Sequence, residues 1–525
     1  MDLKKLKSKL RGYNKLKQSN NLHLWRDLKL SFQKCNPIGN CQLSKLFFGR
    51  LHEQTAVAIH QYCVEKIAKN WLGGNLLIKI DSPSWGMVYP LPKAWQHILI
   101  NNSFSVSEFK SDVLFICLIT RNILLSILSA IRIIFFSSKN NYLKSRSKSF
   151  HFLNLTKNNI SQSNDHKTEN IINWFLESSL YGSSCKTIYH DVPSAENLSC
   201  GDVNIEYKRR PCNCLDSLSK KINFFVWISY IFPLAILRLF KGEWWYALML
   251  NECILAKVIE LNGATALDLE YFVPYSGNIY KPLWAHMLEK MGSKVTAFFY
   301  SSYEQPQITT VNNSMAFEFY LYNWTNTLVW DEIQAELIKE SSSFNPKIEI
   351  VGPINFSDTD EPLPRVNENS IAVFDVEMHR KAFYFSSSSL AEYYEENPGL
   401  NGFFLQDIYK TAAVYKFSIY HKTKRNIGKR RTTAYRNLLN RLQGSPFYFN
   451  VMPEIAASRL IKSCRLVISQ PFTSTALIAK NLAKPNIYYD PTGWIQKNDP
   501  AAHGVPIISG KEELRVWFET LMQNK

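Results

Sequence analysis

The stretch Arg465 to Lys480, RLVISQPFTSTALIAK, constrains this chain more than any other. Leu466 to Ser469 reads as a buried strand, Pro471 as a tight turn, and Thr475 onward as a helix with Thr473 or Ser474 at its N-cap. Lys484 to Pro491 supplies the next strand. A strand that turns straight into a helix and is followed by another strand fits a parallel sheet with covering helices. The helix start exposes unpaired N–H groups and the positive end of its dipole at the sheet's carboxyl edge, where α/β folds bind anions. Hydroxyls at Thr473, Ser474 and Thr475 add donors without adding charge. The unit is expected to hold a phosphate, against the plainer reading of an ordinary helix cap.

The same alternation runs through the second half of the chain. Strands are expected at Ala264 to Val273, Lys294 to Tyr300, Thr327 to Trp330 and Ile348 to Val351, with helices at Ile279 to Met291 and Asp331 to Lys339. Asn355 to Asn369 is polar and Pro-rich and reads as a domain junction. Its Asp358-Thr-Asp360 resembles a metal-holding DxD, but no strand flanks it, and a solvated loop is the simpler reading. A second α/β unit opens at Ile371 to Val376. It continues with a helix in Glu392 to Lys416, a strand at Tyr415 to Tyr420 and a helix at Met452 to Cys464. A short strand at Ile507-Ile508 and a helix over Lys511 to Met522, tying the two units, complete it.

The first half is less regular. Met1 to Lys17 reads as a basic amphipathic helix, with Leu3, Leu6, Leu10, Tyr13 and Leu16 on one side and seven cations around the rest. Leu76 to Ile80 reads as a strand, with Asp81 capping the turn after it. Val113 to Phe136 and Ile222 to Phe240 are apolar and long enough for a bilayer. Arg121, Asn122 and Arg132 argue against a clean crossing by the first, which suits a helix lying in the interface or a buried core helix better. Pro233 would kink the second, and seating at the membrane surface is expected over a spanning hairpin of the two. Ser137 to Lys167, rich in Ser, Asn and Lys, reads as a linker or surface excursion.

The formal net charge of +17 calls for an anionic partner: a phosphorylated substrate, an acidic membrane face or nucleic acid. No helix-turn-helix or RNA-binding signature accompanies the charge, so nucleic acid is not expected. The ten cysteines, Cys212-Asn-Cys214 being the closest pair, have no zinc spacing and read as reduced thiols. The first 34 residues hold no apolar h-region, which makes a cytoplasmic location the default.

Pro471-Phe472-Thr473-Ser474, followed by Tyr488-Tyr489-Asp490-Pro491, resembles the bacterial polysaccharide-biosynthesis PFTS-motif family. Leu328 to Glu332, Val351 to Ile354 and Ile371 to Val376 extend the resemblance over roughly residues 250 to 520. It implies a glycosyltransferase of surface polysaccharide biosynthesis, similar to the GT-B type. The expected fold is α/β, with two Rossmann-like domains and an additional helical, membrane-associating N-terminal region. The expected organisation is a basic segment over 1–34, an acceptor domain over 35–355 with apolar insertions at 113–136 and 222–240, and a nucleotide-sugar-binding domain over 356–525.

Such an enzyme neutralises a leaving phosphate with backbone dipoles and basic side chains, so no metal and no cofactor are expected. Donor-binding candidates are Thr473, Ser474, Thr475, Lys422, Lys424, Arg425, Glu454 and His379. Glu304, Asp331 and Glu270, read near strand ends, are the candidate catalytic carboxylates. Hydroxyl-rich turns similar to 473–475 occur in CMP-sialic acid and CMP-Kdo transferases, which makes a CMP-activated donor one option beside UDP- and GDP-sugars. The expected acceptor is a glycan or lipid-linked glycan at the inner face of the cell membrane. The rival reading is a non-catalytic, membrane-docked assembly protein with a degenerate version of the fold.

Overall fold

The computed structural model describes residues 91–523, except 102–105, 136–148, 163–166, 183–186, 194, 196, 209, 211–213, 276–280, 303–321, 342–344, 377–399, 425–430 and 494. The readings at Met1 to Lys17 and Leu76 to Asp81 lie outside these residues, as do Glu304, His379 and Arg425.

Two parallel sheets organise the chain. The first begins with β1 (Ser149–Phe152), β2 (Thr187–His190), β3 (Leu198–Cys200) and β4 (Val203–Tyr207). β5 (Glu270–Pro274), β6 (Lys294–Phe298), β7 (Asn326–Val329) and β8 (Lys347–Ile350) complete it, in the order β3-β4-β2-β1-β5-β6-β7-β8. All neighbours run parallel except β3 against β4. The second sheet holds β9 (Ser370–Asp375), β10 (Ser418–Thr423), β11 (Tyr448–Val451), β12 (Leu466–Ser469), β13 (Asn486–Asp490) and β14 (Ile507–Ser509). Its order, β11-β10-β9-β12-β13-β14, is parallel throughout. In both, the chain starts mid-sheet, winds outward one way, then returns to wind out the other. This doubly wound arrangement leaves a crevice at the carboxyl ends of the two central strands. β9, SIAVFD, is buried at every position, as a strand covered by helices on both faces must be.

Twelve α-helices of the described residues carry the connections and coverings. α1 (Lys93–Asn101), α2 (Glu108–Phe135), α3 (Ile171–Glu177), α4 (Leu218–Phe240), α5 (Trp245–Asn262), α6 (Leu283–Lys290) and α7 (Glu332–Ser341) belong to the first lobe. α8 (Leu400–Val414), α9 (Thr433–Leu442), α10 (Ala457–Ser463), α11 (Ser474–Asn481) and α12 (Gly510–Gln523) belong to the second. α5 is apolar almost all round and is buried over most of its length, in one core with Tyr271 and Val273 of β5.

The chain passes between sheets from Ile350 to Ser370. A second core crosses from lobe to lobe. Phe152, Phe272, Phe298 and Trp330 of the first lobe join Ala476 and Leu477 of α11 and Tyr488 of β13.

Two expectations are corrected. The stretch 137–167 is not simply a linker, because β1 lies within it and is central to the first sheet. Its four residues, SFHF, are too short to show a period and follow a basic, polar run. The terminal helix α12 does not tie the lobes: Leu514 and Phe518 pack into the second lobe's own core, beside Phe417 and Tyr415.

Candidate functional site

β9 and β12 are the strands between which the second sheet reverses its winding. The turn after β12 therefore sits at the position where doubly wound folds bind ligands. Gln470 joins the two strand ends: its N–H donates to Phe374 O (2.8 Å), and its Oε1 accepts from Val376 N (2.7 Å). Phe472 follows with φ +60°, a left-handed conformation that phenylalanine rarely adopts. Strain of this kind persists only where the surroundings enforce it, and it concentrates at functional turns. Here Phe472 packs on Tyr488 with ring centres 5.8 Å apart, and the Tyr488 hydroxyl donates to Thr473 O (3.0 Å).

The three hydroxyls do not act as simple helix caps. Thr473 is the N-cap residue of α11, yet its side chain caps no helix N–H. Its Oγ1 donates to Gln470 O (2.7 Å) and lies 3.1 Å from Thr475 Oγ1, which is 2.9 Å from Ser469 Oγ. Thr473 and Thr475 thus brace the turn internally. Ser474 reaches across the lobes: its Oγ accepts from Ser302 N (3.0 Å) and lies 3.3 Å from Ser302 Oγ. What the turn offers an anion is mainly its uncapped main-chain amides and the α11 dipole. All three hydroxyl residues are partly exposed at this junction.

The carboxyl edge of the second sheet brings several predicted residues into one row. Lys424 is exposed just past β10, and its N–H donates to Asp375 O at the end of β9 (3.3 Å). Lys422 is buried, with Nζ donating to Pro453 O (2.9 Å). Burial pushes its ammonium down to about 8, against the opposing pull of Glu454 and Asp358. Glu454 is exposed in the turn after β11, ahead of α10, rather than inside the expected helix. Beneath this row lies a cluster that sequence reasoning missed. His421 Nε2 is 3.1 Å from Asp375 Oδ1, His421 Nδ1 is 2.7 Å from the Tyr448 hydroxyl, and the Tyr435 hydroxyl bonds Asp375.

From the first lobe, Asp331 faces the same junction. It accepts from Gln334 N (2.9 Å) and pairs with His503 Nδ1 of the second lobe. Burial alone would raise its pKa, but the bonds from His503 and Gln334 N and the charge of Lys480 hold it below the usual carboxylate range. Lys480 in turn donates to His503 O (2.6 Å). Glu270 lies elsewhere. It starts β5, at the amino edge of the first sheet, held by Thr296 Oγ1 (2.6 Å) and Lys294 Nζ (2.9 Å). Asp358 is neither a metal-type ligand nor part of a solvated loop: it is fully buried and bonded to both lobes.

Gln470 and Ser302 also escaped the sequence reading. Gln470 stands inside the organising stretch, and its position directly after a buried strand was the available signal.

Residues 226–518 match the family described as "Polysaccharide biosynthesis PFTS motif protein". No curated protein matches the chain. Among solved structures, a variant of the wall teichoic acid polymerase TagF is similar at 12% identity over 77% of this chain and 90% of that one (TM-score 0.38). HepE of Anabaena in complex with UDP-glucose is similar at 8% over 72% and 90% (TM-score 0.36). UDP-GlcNAc 2-epimerase of Methanocaldococcus jannaschii in complex with UDP-GlcNAc and UDP is similar at 13% over 52% and 75% (TM-score 0.31).

Proposed function

The chain belongs to the polysaccharide biosynthesis PFTS motif family, and from that premise we propose that it is a glycosyltransferase. It moves a sugar from a nucleotide-sugar onto a glycan or lipid-linked acceptor of a surface polysaccharide. The observation that carries this reading is the start of α11, whose N-cap residue Thr473 leaves the helix amides uncapped by its side chain, at the switch point of a doubly wound sheet and against the opposite lobe. The donor's phosphates lie on the amides of that turn, with the exposed Lys424 at the neighbouring strand end as a counter-charge.

In the reaction an acceptor hydroxyl attacks the anomeric carbon, and the bond from that carbon to the phosphate oxygen breaks. The nucleotide leaves with the electron pair, and the hydroxyl proton passes to a carboxylate of the first lobe. Asp331 is ionised at neutral pH and stands at the junction; Glu304 remains the other candidate. The sequence expectation is refined in one respect: Thr473 and Thr475 shape the turn, and Ser474 holds it to Ser302, while the amides bind.

A thermal-shift panel of CMP, UDP and GDP tests the donor site. One nucleotide is expected to raise the unfolding midpoint, since a ligand at 100 times its Kd adds about 2.7 kcal/mol to the folded state. The increment should shrink in Lys424→Gln and in Ser474→Ala. Indifference of the wild type to all three rejects the donor site. The rival, a non-catalytic assembly protein, draws on the fact that all three hydroxyls already have partners within the protein. Acceptor-dependent release of nucleotide from a sugar donor separates the two readings, because an assembly protein releases none.

A further inference from the structure

Helices α2 and α4 lie over α5 as the outer layer of the first lobe, and their inner sides are fully accounted for. Ile119, Ala130 and Ile133 of α2 and Phe224, Ile231 and Ala235 of α4 are buried. Asn122 donates to Ala247 O (2.7 Å) and Leu248 O (2.8 Å) of α5. Lys220 reaches Asn262 O (3.4 Å), which sets the start of α4 beside the end of α5. The outer sides are apolar and open. Ile116 (64%), Leu128 (59%) and Phe135 (74%) are exposed on α2, and Phe225 (58%), Val226 (63%) and Phe240 (84%) on α4. Apolar surface of this extent marks an interaction face rather than ordinary solvent exposure.

The charge on that face has a period. Lys110, Arg121 and Arg132 stand eleven residues apart and are all exposed. Eleven residues make about three helical turns, so the three cations share one side of α2, about 16 Å from each to the next. Neither α2 beyond Asp112 nor α4 contains a carboxylate. The row excludes other ways of covering the face. A bilayer span would put Arg121, at the midpoint of α2, in hydrocarbon, where an arginine is strongly disfavoured. It would also pull α2 and α4 off α5, which packs on α6 and the sheet core. A second copy would set cation row against cation row.

We propose that the outer face of α2 and α4 docks on the anionic headgroup layer of a membrane without crossing it. Lys110, Arg121 and Arg132 contact lipid phosphates, and the exposed apolar side chains reach the acyl boundary. The inference stands independently of the donor site, and it would bring a lipid-linked acceptor to the lobe facing that site.

Flotation of the full chain with phosphatidylcholine vesicles, with and without phosphatidylglycerol, at low and high salt, is the test. Flotation should require phosphatidylglycerol and weaken at high salt. The triple variant Lys110→Gln/Arg121→Gln/Arg132→Gln should lower partitioning on the order of 100-fold with an unchanged unfolding midpoint. Phe225→Ser/Val226→Ser should lower it as well. Absence of flotation in every case overturns the proposal. So does flotation indifferent to phosphatidylglycerol, salt and the triple variant, which indicates an inserted span. A dimer dissolved by Phe225→Ser/Val226→Ser, or a polynucleotide complex dissolved by the triple variant, overturns it when vesicle binding is missing.

Discussion

At the scale of single residues, buried carboxylates do the joining. Asp358 accepts from Glu169 N (2.8 Å) of the first lobe and from Ala456 N (2.8 Å) and Arg459 Nη1 (2.9 Å) of the second. Arg459 is completed by Thr359 O and Glu361 O, both at 3.0 Å. Asp358→Ala would remove the counter-charge of a buried guanidinium and leave the N–H groups of Glu169, Ala456 and Thr359 without their acceptor, so it should cost about 3–5 kcal/mol in urea unfolding. Asp360→Ala, two residues on and exposed, should stay within about 0.5 kcal/mol. Asp268 does similar work inside the first lobe, bonded by Ser149 Oγ (2.8 Å), Lys208 Nζ (2.6 Å) and His151 Nδ1 (3.1 Å). Burial alone would raise its pKa, but His151 and Lys208 outweigh that and hold it at about 2, below 3.8. The folded state therefore binds this proton more weakly than the unfolded one. About 2 kcal/mol of stability is present above pH 4 and is lost as pH falls toward 2. Burial, with the charge of His151, likewise lowers His190 from 6.5 to about 4, opposed only by Asp191. That group removes stability as pH falls from 6.5 to 4, because the unfolded chain takes up the proton first. Urea midpoints against pH should thus decline in two stages, with the lower stage absent in Asp268→Asn and the upper in His190→Gln.

At the scale of elements, legibility followed local chemistry. β12 runs over Leu466–Ser469, the residues its apolar run marks, and β13 lies within the segment its sequence suggests. β1 (SFHF) and β11 (YFNV) were not visible. Four-residue strands have no measurable period, and what makes them strands is the partner on either side. α10 begins at Ala457 rather than Met452, since Pro453 and the residues after it form a turn first. The hydroxyls at 473–475 were legible as a site but not in their roles. Those depend on Ser302, which the packing of one lobe on the other brings near, and on the exact fold of the turn, which sets Thr475 against Ser469. Gln470 stood directly after a buried strand, which marked its place, but its partners Phe374 and Val376 at the end of β9 could not be read: a chain shows that strands alternate with helices, not which strands end up adjacent. The cation row on α2 is the opposite case. Its eleven-residue interval is written in the sequence, yet it acquires meaning only once the buried side of α2 is known.

At the scale of the molecule, the decisive fact is that the two lobes share a core. Ala476 and Leu477 of α11 are buried in the same cluster as Phe298, Leu328 and Trp330 of the first lobe. Around it run the Ser302–Ser474 contact, the Asp331–His503 pair and the Lys462–Glu169 bridge (2.6 Å). The exposed bridge adds little, but burial of a continuous apolar seam couples the lobes energetically. The helix that opens at the proposed donor site is therefore also the element that joins the sheets. Leu477→Ala removes apolar bulk from that seam without touching the amides of the turn, and a buried Leu→Ala change costs about 2–5 kcal/mol. If the lobes fold as one unit, far-UV ellipticity and the fluorescence of first-lobe tryptophans should move to a lower denaturant midpoint together, by the same amount. If ellipticity splits into two transitions while the tryptophan signal stays where it was, the seam is not shared, and α11 reports on the second lobe alone. Coincident curves would mean that any ligand on the turn acts on both lobes at once, since it binds the end of the helix that holds them together.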